Sequence, residues 1–175
     1  MKFQKLAVCV ASLALPLTAL AAPAADASSA RGYPYKAPVV KWAGHARTLG
    51  DHALVGSRYR CFGGNVGTHV WVSLKQGPKI TKMSLKQLKK AEGTSAISKS
   101  WYDTNKTDPQ LVYVVCNGKW QHQTFRLKKE KGHLHRGWAF LQFCLFDSHS
   151  DPTSQTSTKG FAFRYSKVWV TRSPV

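Results

Sequence analysis

Between Thr68 and Leu74 the chain alternates strictly. Val70, Val72 and Leu74 fall on one side, with His69, Trp71 and Ser73 on the other. A period of two with one apolar side predicts a half-buried strand. The same pattern runs through Trp120 to Lys128, where Gln121, Gln123, Phe125 and Leu127 alternate with Trp120, His122, Thr124, Arg126 and Lys128. Leu54 to Phe62, Leu111 to Cys116 and Phe161 to Thr171 also read as strands, and Val39 to Trp42 as a short first one. Trp138 to Phe146 is apolar on nearly both faces, as expected of a central strand.

Turn residues separate these runs. Gly63-Gly64-Asn65, Gln76-Gly77-Pro78 and a charged turn at 128–132 punctuate the chain, and 149–160 is a polar Ser- and Thr-rich loop. Asn117-Gly118 is the strongest hairpin signal, because both residues tolerate the positive φ of a tight turn. Lys79 to Lys90 is ambiguous, since Leu85 and Leu88 have helical spacing while Met83 and Leu85 fit a strand, and a lysine-flanked edge strand is the competing reading. The favoured reading is a short helix or irregular insertion, with the Ser84 hydroxyl as an N-cap. In the mixed stretch after it, Trp101 and Tyr102 are expected to pin the chain to the body. Six or seven strands with no βαβ rhythm predict an all-β fold, a single antiparallel β-sandwich with a lysine-rich insertion.

The N-terminus has a different character. Lys2 and Lys5 precede an apolar run from Leu6 to Leu15, and Ala22-Pro23-Ala24 and Ala25-Asp26-Ala27 follow. This is the layout of a secretory signal peptide over 1–27. The run is too short for a bilayer span. The expected organisation is a leader at 1–27, an arm and possible first strand at 28–50, and the sandwich at 51–175. The chain is expected to be secreted, extracellular or cell-wall associated.

Outside a cell, cysteines pair. Cys61, Cys116 and Cys144 follow the leader, so three single bridges are open. Cys61 and Cys116 both lie in strand-like runs, and their bridge would close a loop of about 55 residues. It is the favoured pair, with Cys144 then a buried thiol.

Several short motifs together resemble a known group. They are Tyr59-Arg60-Cys61 with the glycine turn, Leu74-Lys75-Gln76-Gly77, Val115-Cys116-Asn117-Gly118, and Gly137-Trp138-Ala139. They resemble small secreted actinobacterial β-sandwich proteins of uncharacterised function. The resemblance spans roughly residues 50 to 171. It implies an immunoglobulin-like sandwich and a structural Cys61–Cys116 pair, and carries over no catalytic residue. The lysine-rich insertion at 78–100 and the high charge depart from that group.

Charge changes the picture most. The chain has 26 Lys and Arg against 8 Asp and Glu, a formal +18. Two basic runs stand out. One is Lys75, Lys79, Lys82, Lys86, Lys89 and Lys90; the other is Arg126, Lys128, Lys129, Lys131 and Arg136. Converged at one end of the fold, they would form a patch that steers a polyanion. The opposing reading is a surface that only confers solubility. Trp120 and Trp138 lie near the second run and are assigned to the core rather than to a binding platform.

Catalytic signatures are missing from the sequence. It has no Gly-x-Ser-x-Gly elbow, His-Glu-x-x-His helix, P-loop or dinucleotide fingerprint. No carboxylate pair recommends itself for glycoside hydrolysis. His133-x-His135, with His122 across the hairpin, is a candidate imidazole set for zinc or copper, but reads better as a solvated basic face. His69 reads as a partly buried strand histidine.

The expectation is therefore a non-enzymatic secreted protein without a cofactor or metal. Its partner would be a cell-wall polymer, an acidic glycan or a nucleic acid. An extracellular protein partner or inhibitor role and an extracellular hydrolase are the competing readings.

Overall fold

The computed structural model describes residues 36–64, 68–91, 94–105, 113–147 and 161–172. The expected leader, residues 28–35 of the arm, the polar loop at 149–160, and Leu111 and Val112 lie outside the described residues.

Seven strands form the body: β1 (Val39–Leu49), β2 (His52–Arg60), β3 (His69–Gln76), β4 (Ser100–Asp103), β5 (Gln121–Lys131), β6 (Gly137–Phe146) and β7 (Phe161–Arg172). Three short helices lie between β3 and β4: α1 (Pro78–Lys82), α2 (Leu85–Lys90) and α3 (Thr94–Ile97). The strand order is β1-β2-β5-β4-β3-β6-β7, and the sheet closes on itself. Closure comes from a short parallel ladder in which Arg47 and Thr48 of β1 meet Thr171 and Arg172 of β7.

The predicted immunoglobulin-like sandwich is thus corrected to a closed barrel. A period of two says which side chains face inward. It does not say whether the inward faces belong to two stacked sheets or to one curled sheet. Bulges increase the coiling of a sheet, and this barrel has three of them. Two lie in β1, between Val40 and Trp42 and between Gly44 and Arg47, and one in β5 at Glu130, opposite Trp101 and Tyr102 of β4. At the second, His45 takes φ 50°, and Ala43 and Ala46 both turn inward although three residues apart. That break in the period hides the true length of β1, expected to end at Trp42.

One apolar cluster fills the barrel. Tyr59, Leu74, Tyr102, Phe125, Phe143 and Leu145 are its large buried members, and Val70, Val72 and Leu127 take the inward positions that alternation predicts. The outer face of β6 has a second apolar layer. Phe140 packs there with Ile80 of α1 and Leu88 of α2. This explains why β6 is apolar on both faces. The helical insertion forms as expected at 78–90. Ser84 and Gln87 make a reciprocal capping box, with Gln87 N–H donating to Ser84 Oγ (3.2 Å) and Ser84 N–H to Gln87 Oε1 (2.7 Å).

The segment before the second cysteine is a further correction. Tyr113 to Cys116 was expected as a strand but joins no ladder. β5 pairs with β2 over 121–128 and with β4 only over 128–131, and the segment lies outside both ladders. Side chains hold it instead. Val115 N–H donates to Tyr59 Oη (3.1 Å), and Gln123 Nε2 donates to the Tyr113 carbonyl. Val114 enters the core. Asn117-Gly118 is accordingly a bend and not a strand-to-strand hairpin, with Gly118 at φ 76° donating its N–H to Cys61 O.

Cys61 and Cys116 form the disulfide. Cys144 is a buried thiol outside it, on the helix-covered face of β6. Among the described residues no helix is long and apolar enough to cross a membrane.

Candidate polyanion interface

The two basic runs do not converge. Lys79 and Lys82 are exposed on α1, and Lys86, Lys89 and Lys90 on α2, against β6 and β7. Arg126 and Lys128 point outward from β5, which β4 and β3 separate from β6 in the strand order. Lys129 is taken up by an ion pair with Asp51, and this hydrogen bond holds the Asp51 carboxyl below its ordinary value. Lys131 Nζ donates to Ser98 O (3.1 Å), and Arg136 is exposed in the β5–β6 turn. That turn is tied to the base of the insertion by Gln76, which bonds both the carbonyl and the N–H of His135 (3.0 and 2.9 Å).

Lys75 is a correction. It belongs to the first run in sequence but is 4% exposed. Its Nζ donates to Gln142 Oε1 (2.6 Å) and Thr94 Oγ1 (3.2 Å), and it lies 5.4 and 5.3 Å from the ring centroids of Trp71 and Trp101. Lys75 faces outward on β3, but the Trp71 and Trp101 rings and Thr94 of α3 cover it there. Buried beside it, Asp103 has its carboxyl pushed up to about 6 by desolvation, against the opposing pull of the Asn105 N–H.

The histidines separate as well. His122 sits outward in mid-sheet, paired with Arg58, whereas His133 and His135 are in the turn beyond β5. Among the described residues no group of three His, Cys, Asp or Glu side chains is placed to hold a metal ion. His69 is exposed and stacks on Phe146 with centroids 4.2 Å apart.

A different basic surface emerges from the register. Tyr59 and Ser57 point into the barrel, so Arg58 and Arg60 point out. Across β1, β2 and β5 the outward rows are Trp42–Arg58–His122, Gly44–Gly56–Thr124, Arg47–Leu54–Arg126 and Leu49–His52–Lys128. These rows hold four arginine or lysine side chains besides the two histidines, and no carboxylate.

Trp120, just before β5, is 37% exposed, not core. The guanidinium carbons of Arg58 and Arg60 lie 5.1 and 5.0 Å from its ring centroid, and Arg60 also covers Phe62 at 5.4 Å. Trp42 reaches over Gly56, where a Cβ would come within 3.4 Å of its ring, and meets His122 edge-on at 6.3 Å. The Nε–H groups of Arg58, Arg60 and Arg126 are all covered and have no hydrogen-bond partner among the described residues. The field is felt at His52, whose imidazolium is disfavoured first by burial and then by the charges of Arg126 and Lys128. At the Trp120 end, an open depression of about 550 Å³ is lined by Phe62, Gly63, Gly64 and the Val115–Gly118 bend.

Sequence reasoning passed over Arg47, Arg58, Arg60 and Trp42 because it followed consecutive charge. The signal that finds them is alternation. In Arg58-Tyr59-Arg60-Cys61 an inward Tyr and Cys force both arginines outward. Trp138 is a correction too, 48% exposed and edge-on to Trp169 on the outer face of β6 and β7.

No protein-family model, no curated protein and no solved structure matches this chain.

Proposed function

We propose that the chain is a secreted, non-enzymatic binding protein that holds an extracellular or cell-wall anionic polymer against the outer face of β1, β2 and β5. One observation carries this reading: the register of β1, β2 and β5 gathers Arg47, Arg58, Arg126 and Lys128 on one sheet face, with no carboxylate in those rows. Guanidinium and ammonium groups form charge-assisted bonds with anionic oxygens. Secretion is supported by the leader-like N-terminus and by the disulfide.

The test is retention on immobilised DNA, heparin, wall teichoic acid and anionic vesicles at low and near-physiological salt. The triple variant Arg58→Ala, Arg60→Ala, Arg126→Ala is expected to elute from the retaining matrix at much lower salt than the parent. The control Lys79→Ala, Lys82→Ala, Lys86→Ala, on the other wall, is expected to change elution little. Equal losses from both triples would mean that retention follows net charge alone, and the proposed face would be wrong.

A further inference from the structure

We infer that the polymer this face accepts is a single-stranded nucleic acid, bound with bases stacked on Trp120 and Trp42 and phosphates on Arg58, Arg60 and Arg126. The inference rests on the reading of this face as the anionic-polymer site.

A sulfated or phosphorylated polymer without bases needs cations only. This face interleaves cations with indoles. Trp120 stands exposed beside two guanidinium groups, and Trp42 and His122 continue the row at 6.3 Å. Trp120, the residue before β5, and His122, the second residue of the strand, are both exposed. Arg58 links them, paired beside His122 and reaching Trp120. Aromatic platforms that take successive bases, lined by cations that track the backbone, are how single strands are held without sequence preference.

The cations on this face are mainly arginines, whose planar fork binds phosphate bidentately and also stacks on rings. A base arriving on Trp120 displaces one guanidinium from the indole face. That guanidinium then turns its Nε–H to a phosphate oxygen. A duplex presents its bases stacked on one another, so this face would grip it through phosphates alone.

The experiment is titration of the full chain with oligothymidylate and oligouridylate of about twenty nucleotides, a duplex of the same length, and heparin. Binding is read by tryptophan fluorescence and by anisotropy of labelled ligand. Both single strands are expected to bind, with indole quenching, about tenfold or more tighter than the duplex or heparin. Trp120→Leu is expected to weaken single-strand binding about tenfold, the loss of one stacked base, and to leave heparin binding unchanged. Trp120→Phe, which keeps a ring, is expected to restore most of the difference.

Binding of one single strand but not the other would still support the inference and would trace the discrimination to the 2′-hydroxyl or the thymine methyl group. Equal affinity for strands, duplex and heparin, or Trp120→Leu without selective effect, would overturn the nucleic-acid inference and leave a general polyanion site. Retention of none of the panel at near-physiological salt would overturn the site itself.

Discussion

Asp103 and Lys75 show how one buried residue sets a measurable property of the whole chain. The Asp103 carboxyl lies at about 6 in the fold against an ordinary 3.8, raised by burial. Between those values the folded chain holds a proton that the unfolded chain has lost. The contribution of Asp103 to stability therefore falls as pH rises from about 4 to about 6, by up to about 1.4 kcal/mol per pH unit, and His52, whose charged form the fold disfavours, opposes it as pH nears 6.5. Chemical denaturation across this window is expected to show that slope, and Asp103→Asn to flatten it. The charge of Lys75 pulls the same carboxyl down, so Lys75→Met is expected to move the window to higher pH. An unchanged slope in Asp103→Asn would assign the pH dependence to another group.

Gly132 makes a second case at this scale. It sits at φ +55°, and a Cβ there would collide with the Lys99 carbonyl oxygen. Both the left-handed conformation and the backbone clash oppose a side chain, so Gly132→Ala is expected to cost at least about 1–2 kcal/mol. The contact couples the β5–β6 turn to the start of β4. Thermal melts of this variant would report how firmly the turn is anchored.

Among the elements, α2 depends most on its cap. Six residues are too few for helix propensity to hold them. What holds α2 is Leu88 against Phe140 and the Ser84–Gln87 capping box. Ser84→Ala is expected to lower stability by about 1 kcal/mol, read from urea denaturation. Its effect on polyanion retention should be negligible, because α2 is on the wall away from Arg58. β4 shows how tertiary packing makes a strand. Ser100-Trp101-Tyr102-Asp103 is too short to display a period, yet it bridges β3 and β5 and buries Tyr102. Sequence reading anticipated only that Trp101 and Tyr102 anchor this region.

For the whole molecule, the barrel and the disulfide divide the task of holding one end together. β2 ends at Arg60, and the Cys61–Cys116 bridge with the Gly118 N–H to Cys61 O bond fixes the Tyr113–Gly118 segment across that end. The bridge spans 55 residues, a loop for which about 2–4 kcal/mol of stabilisation is typical. Cys61→Ala with Cys116→Ala is expected to lower stability by that amount. Because the bridge borders Phe62 and Trp120, the same variant is expected to weaken polyanion retention as well. Full retention in a destabilised variant would show that the face is held by the sheet alone.

Inward residues, turns and caps were legible because they depend on neighbours a few positions away. Val70, Val72 and Leu74, Phe125 and Leu127, and the Ser84 cap all follow from local period or local hydrogen bonding. The Cys61–Cys116 pair was within reach for a similar reason, since both cysteines lie in strand-like runs of the sequence. Closure was not legible. It rests on Arg47 and Thr48 meeting Thr171 and Arg172, residues more than a hundred positions apart with no pattern in common. Nor was the fate of each charge. Lys75 and Lys79 stand four residues apart, yet one is buried between two indoles and the other is in solvent, because Trp71, Trp101 and Thr94 cover only the first. The face formed by Arg47, Arg58, Arg126 and Trp42 exists only through the register of three strands. Local periodicity determined which side chains turn outward, and strand pairing decided which of them meet.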